Sequence, residues 1–129
     1  MKHLRRATAR AGTSAGDRAN ELSVETRQAG ARTIVVVMGR VTVDSSPHLR
    51  SVLHDAIGGP GASGVVIDLT GTSYLDTSAL ATLLEAATLA LAHAVALQVI
   101  GLQGHARFVA EGAELDHIFL ALGYEVQFT

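Results

Sequence analysis

The chain has no cysteine and no tryptophan, only two prolines, and no lysine after Lys2. Without cysteine it has no disulfide, no thiolate metal ligand and no cysteine nucleophile, and a reducing compartment is allowed. Aromatic residues make up 4% of the sequence against 48% hydrophobic residues, so the core must be aliphatic, of the kind formed when helices lie close on a sheet. No apolar run approaches the ~18 residues of a membrane-spanning helix, and the N-terminus lacks the apolar centre of a secretion signal. A soluble, cytoplasmic protein with no membrane insertion is expected.

At 129 residues there is material for one domain. The formal net charge of -2 hides an asymmetry, because residues 1–20 carry Lys2, Arg5, Arg6, Arg10 and Arg18 against Asp17 alone. A basic segment can touch nucleic acid or anionic lipid, and its Arg-rich, acid-poor composition also resembles a transit peptide. Its Ala, Arg, Thr, Ser and Gly content reads first as disorder. Residues 1–20 are therefore expected to be a disordered basic tail without assigned function or nucleic-acid partner, and residues 21–129 a single folded domain.

Leu22, Val24 and Thr26 alternate with polar neighbours, which predicts a half-exposed strand. A turn at Ala29-Gly30-Ala31 leads to the apolar run Thr33–Met38, a strand covered on both faces and paired with the first as a hairpin. Ser46-Pro47 is a helix-start signal, the Ser oxygen taking a free amide and Pro filling the first turn. Leu49, Val52, Leu53, Ala56 and Ile57 follow at helical spacing until Gly58-Gly59-Pro60. Val65–Leu69 predicts a central parallel strand. A helix should run from near Thr77 to His93 with Leu80, Leu83, Leu84, Ala87 and Leu91 inward, and Val95–Ile100 is the next strand. Beyond Gly101 come a short helix interrupted at Gly112, a further apolar turn at Leu115, Ile118 and Phe119, and a strand with Tyr124, Val126 and Phe128 on one side. The fold class is α/β: a mixed sheet of about five strands with helices packed mainly on one face.

The segment Val65–Leu84 joins strand to helix through Asp76-Thr77-Ser78-Ala79. Any of Asp76, Thr77 and Ser78 can cap the helix by accepting from its unpaired first-turn amides. The same placement suits regulation by a single phosphoryl group. A phosphate at a helix N-terminus is tolerated by the amides and dipole, yet adds roughly -1.5 to -2 charges beside Asp76. Like-charge juxtaposition in a protein contact can cost several kcal/mol of affinity.

Over about residues 21–119 the chain resembles a STAS domain, the family of anti-sigma factor antagonists and their relatives. The resemblance is carried by Gly39 with Ser46-Pro47 and Leu49, by VVIDLTGTSYLDTSAL at residues 65–80, and by Leu115-Asp116-His117-Ile118-Phe119. It implies a non-catalytic partner-switching protein that binds a serine kinase, itself the anti-sigma factor, and so releases a sigma factor. Ser78 matches the hydroxyl that the kinase phosphorylates, with Thr77 as the fallback, and a serine phosphatase resets the switch. Asp76, Thr77, Ser78 and Ala79, with Thr42, Asp44, Ser45 and Ser46 at the first helix entrance, are the expected partner contacts. The resemblance implies no cofactor and leaves a homodimer open. Three features depart from the family pattern: Ala79 replaces a usual Gly, Thr42 replaces an acidic residue for which Asp44 can substitute, and Leu120–Thr129 reads as a strand where a closing helix is common.

Two rival functions remain. A STAS subunit can instead be an unphosphorylated scaffold on a lipid-transport ATPase, docking by the same helix face. Val66–Thr72 also resembles the first motif of haloacid-dehalogenase-type phosphatases with Asp68 as nucleophile, but that chemistry needs an acid at the position of Thr70, a Mg²⁺ site and a later Lys. Asp68 is better read as a strand-end residue bonding local amides. The six histidines show no close ligand spacing, so no metal is expected.

Overall fold

The computed structural model describes residues 4–8 and 22–129. In chain order the elements are β1 (Leu4–Thr8), β2 (Ser23–Ala29), β3 (Arg32–Val41), α1 (Ser46–Gly58), β4 (Gly64–Leu75), α2 (Thr77–Ala92), β5 (Ala96–Leu102), α3 (Gly104–Gly112), α4 (Leu115–Ala121) and β6 (Glu125–Phe128). The strands form one mixed sheet in the order β1-β2-β3-β4-β5-β6. The pairs β1–β2 and β2–β3 are antiparallel, and β3 to β6 are parallel. Strands β2–β6 are the five expected from the sequence. β1 is a sixth, formed by five residues of the segment expected to be disordered; the rest of that segment lies outside the described residues.

Alternation along the strands selects the helix-covered face. Val35 and Val37 of β3, Val65, Ile67 and Leu69 of β4, and Leu97 and Val99 of β5 are buried in one aliphatic core. Leu49, Leu53 and Ile57 of α1, the inner side of α2, and Leu115 and Phe119 of α4 close it. On the opposite face Ile34, Val36 and Ile100 remain half-buried. The β2–β3 hairpin turns through Gly30-Ala31 as expected, with Ala29 opposite Arg32.

Four local expectations are corrected. Helix α2 turns Ala79, Leu83, Ala86, Ala87 and Ala90 inward, while Leu84 is half-buried and Leu91 is exposed; methyl side chains let the helix axis approach the sheet, which a row of leucines would hold off. Strand β4 continues past Leu69 to Leu75, because hydroxyls beyond Leu69 bond the neighbouring strand: Thr72 Oγ1 donates to the Val37 carbonyl at 3.0 Å and Ser73 Oγ to that of Gly39 at 3.3 Å. Asp68 therefore lies within the strand, opposite Val36 and Ile100, and not at its end. Finally, Ser46 is the first residue of α1 and Ser45 precedes it, with no side-chain cap bond.

Candidate functional site

Because β3 and β4 are parallel neighbours, the segments that leave their C-terminal ends emerge side by side. One is the loop Thr42–Ser45 into α1 and the other is the turn into α2. The Asp76 amide donates to the Val41 carbonyl at 3.2 Å, which ties the two together at their base. Farther along, Arg50 of α1 and Glu85 of α2 pair at 2.6 Å, with His54 Nε2 at 2.8 Å from the same carboxylate oxygen. The Arg50 hydrogen bond lowers the Glu85 pKa.

Asp76 is the N-cap of α2, with extended backbone. Its Oδ1 accepts from the Ser78 amide at 3.0 Å, the Ser78 hydroxyl at 2.5 Å and the Ala79 amide at 3.2 Å. Its Oδ2 accepts from the Val43 amide at 3.1 Å, 33 residues away in sequence. Partial burial acts to raise the Asp76 pKa, but the Ser78 hydroxyl and the amides of Ala79, Val43 and Ser78 prevail and hold it below the ordinary carboxylate value. The side chain is thus an anion at neutral pH, fixed from both sides.

Of the residues expected to form a partner surface, Thr77 and Asp44 are exposed, and Thr42, Asp76 and Ser78 are half-buried. The bond from the Val43 amide to Asp76 joins the loop that carries Thr42 and Asp44 to the turn that carries Thr77 and Ser78. Ser78 is held with its proton toward Asp76, which leaves the hydroxyl lone pairs as the accepting edge. Ala79 is 1% exposed and packs in the core, so its methyl is not a contact residue. Ser45 and Ser46 are 2% and 6% exposed. Ser45 Oγ accepts from the Thr42 amide at 2.9 Å and donates to the Arg40 carbonyl at 3.0 Å, so this side chain shapes the loop from within.

Sequence reasoning missed Val43, whose side chain is 67% exposed at the loop tip. An isolated valine between Thr42 and Asp44 in a polar loop was the available signal. It also missed a layered contact beside the turn, in which the Arg40 guanidinium lies 4.3 Å from the Tyr74 ring centroid and His105 stacks on Tyr74 at 4.7 Å with a 12° tilt. This contact joins β3, β4 and α3.

Asp68 shows a second carboxylate and hydroxyl pair. Its Oδ1 accepts from the Thr70 amide at 2.9 Å and the Thr70 hydroxyl at 2.6 Å. The residue bonds local donors, as its environment in the sequence suggested, and Thr70 stands where the dehalogenase-type mechanism requires an acid. Among the described residues no three His, Asp or Glu side chains are grouped to hold a metal ion.

A family model described as Mlab, STAS domain matches residues 24–122. No curated protein matches the sequence. Among solved structures, the chain is similar to an anti-sigma factor antagonist from Mycobacterium paratuberculosis, with a TM-score of 0.68 at 14% identity over 84% of this chain and 86% of that one. It is similar to the anti-sigma factor antagonist SpoIIAA in its unphosphorylated form, with a TM-score of 0.56 at 13% identity over 74% of this chain and 96% of that one. A part of the murine anion transporter Slc26a9 has the same fold, with a TM-score of 0.61 at 12% identity over 96% of this chain and 20% of the transporter. These likenesses are of fold, while the family match covers most of the sequence and includes both segments that build the Asp76 site. The chain belongs to the STAS domain family.

Proposed function

We propose that this STAS domain is an anti-sigma factor antagonist, a non-catalytic switch in the cytoplasm controlled by phosphorylation of Ser78. In its free form it binds a serine kinase that is also an anti-sigma factor, and the displaced sigma factor becomes available for transcription. The observation that carries this reading is the Ser78 hydroxyl, oriented by Asp76 at the start of a helix beside the exposed Thr77, with the loop that carries the exposed Asp44 bonded to the same carboxylate. The antagonist folds among its structural neighbours support it.

In the reaction, a Ser78 Oγ lone pair attacks the γ-phosphorus of ATP. The bond from that phosphorus to the bridging oxygen breaks, ADP leaves, and the hydroxyl proton passes to a base of the kinase, which also supplies Mg²⁺. The product is a phosphate at the mouth of α2, where the helix dipole favours negative charge, so the helix persists. The added charge faces Asp76 and the partner, and the kinase is released; a serine phosphatase hydrolyses the ester and restores the hydroxyl. Incubation with a candidate kinase and ATP, followed by mapping of the modified residue in wild type, Ser78→Ala and Thr77→Ala, tests the reading. Label on Ser78 is expected, and a chain left bare by every kinase it binds would reject it.

A second reading rests on the depth of the same hydroxyl. Ser78 is half-buried and already bonded to Asp76, as suits a permanent cap. In that case the chain is an unphosphorylated scaffold subunit of a lipid-transport ABC system, docking by the exposed edge of α2. Co-purification with a transporter ATPase and no kinase distinguishes it.

A further inference from the structure

Asp76 does more than cap a helix. Its two oxygens bond two separate segments, one to Ser78 and Ala79 and the other to the amide of Val43. The loop that carries Val43 is otherwise tied mainly to itself and to its own strand. The Ser45 and Ser46 amides donate to the Thr42 carbonyl at 3.1 and 2.7 Å, the Asp44 amide donates to Thr42 Oγ1 at 3.3 Å, and Ser45 Oγ bonds the Thr42 amide and the Arg40 carbonyl. The Val43–Asp76 bond is therefore the clasp between the loop tip and the α2 turn. Val43, 67% exposed, is the large apolar side chain presented there.

We infer that Asp76 transmits the state of Ser78 to this loop, and that Val43 is the apolar anchor by which the kinase partner holds the domain. The inference rests on the reading of Ser78 as the phosphoryl acceptor. When Ser78 Oγ carries phosphate it has no proton to donate, so its bond to Oδ1 is lost. The carboxylate then faces a dianion on the side chain two residues away. Like charges at that separation repel strongly where solvent is partly excluded. The carboxylate turns from the phosphate, Oδ2 leaves the Val43 amide, and the loop shifts with its anchor. Phosphorylation thus weakens the contact at two places: charge is added at Ser78, and the apolar contact at Val43 is moved out of register. The occupant is a kinase surface with an apolar socket for Val43 and a cationic rim, which complements the exposed Asp44 and the anionic Asp76.

The link is tested without any kinase by installing phosphoserine at position 78 during translation of the full chain, and measuring backbone amide exchange at Val43. Exchange is expected to rise about tenfold, the effect of losing one hydrogen bond to a charged acceptor. Asp76→Ala should give a similar rise, whereas Ser78→Ala, which adds no charge, should leave Val43 protected. Wild-type exchange at Val43 in the phosphoserine chain, or in Asp76→Ala, would overturn the link. The anchor is tested separately with the kinase that labels Ser78. Val43→Ser should weaken its binding about tenfold or more with Val43 exchange in the wild-type chain as reference for an intact loop, and unchanged affinity would remove Val43 from the contact. If no kinase labels Ser78, the proposed function fails, while the exchange measurements still decide whether Asp76 couples the two segments.

Discussion

Asp68-Leu69-Thr70 and Asp76-Thr77-Ser78 share one local design. In each, a carboxylate oxygen accepts both the amide and the hydroxyl of the residue two positions on, at 2.9 and 2.6 Å in the first and 3.0 and 2.5 Å in the second. What surrounds them differs. Thr70 stays within β4, and its carbonyl is taken by Gln103 Nε2 at 2.9 Å. Ser78 lies in the first turn of α2, where its amide and that of Ala79 are held by the Asp76 carboxylate and the helix dipole favours negative charge. The Asp76 carboxylate also reaches across to Val43, a bond for which Asp68 has no counterpart among the hydrogen bonds described above. The same three-residue chemistry therefore fixes a strand in one place and joins two chain segments in the other. On the proposed function, an added phosphate is expected where the helix begins and not within the strand.

The largest effect expected from this contrast is all or none. Ser78→Ala should abolish kinase-dependent labelling of the chain, and Thr70→Ala should leave it unchanged, as read by phosphopeptide mapping. Labelling of Thr70 would show that the helix start is not what selects the acceptor.

The next effect concerns the strand site. Gly101 has φ of +83°, and a Cβ there would collide with Thr70 Oγ1 and its backbone. Gly101→Ala should cost about 1–3 kcal/mol in denaturant unfolding, which would establish the Asp68–Thr70 region as close-packed structure.

A smaller difference should separate the two aspartates. Loss of the cap in Asp76→Ala should cost about 1–2 kcal/mol, and Asp68→Ala within about 1 kcal/mol, each measured by thermal or denaturant unfolding. Equal costs would remove the special standing of the helix-start site.

The smallest expected effect is in pH. Asp76 titrates below the ordinary carboxylate value in the folded chain, so as pH falls the unfolded chain binds this proton first. The Asp76 contribution to stability is complete above about pH 4 and is lost as pH drops through the lower folded-state value. Asp76→Asn should flatten that part of the stability curve. An unchanged acid limb would mean that the hydrogen bonds to this carboxylate are weak.

Much of this architecture was legible in the residue pattern. Period-two alternation identified β2 and β6, continuous aliphatic runs identified β3, β4 and β5, and glycine with proline marked the end of α1. Residue type and position left Asp76, Thr77 and Ser78 as candidate caps, and the fold selects Asp76. The errors have physical causes. Leucines look more buried than alanines by composition, yet Ala79, Ala86 and Ala90 face the sheet because the small residues allow close approach. The central strand was expected to end at Leu69, but the hydroxyls of Thr72 and Ser73 bond the carbonyls of β3 and prolong β4. Ser45 and Ser46 looked like an exposed helix entrance and are buried, since the loop folds back onto Arg40.

Local periodicity and capping chemistry, properties of residues within a few positions of one another, determined the helices, the strands and the hydroxyl at the mouth of α2. Tertiary structure alone decided that Val43 lies against Asp76. Their 33-residue separation closes only because β3 and β4 pair in parallel and deliver both C-terminal ends to the same edge.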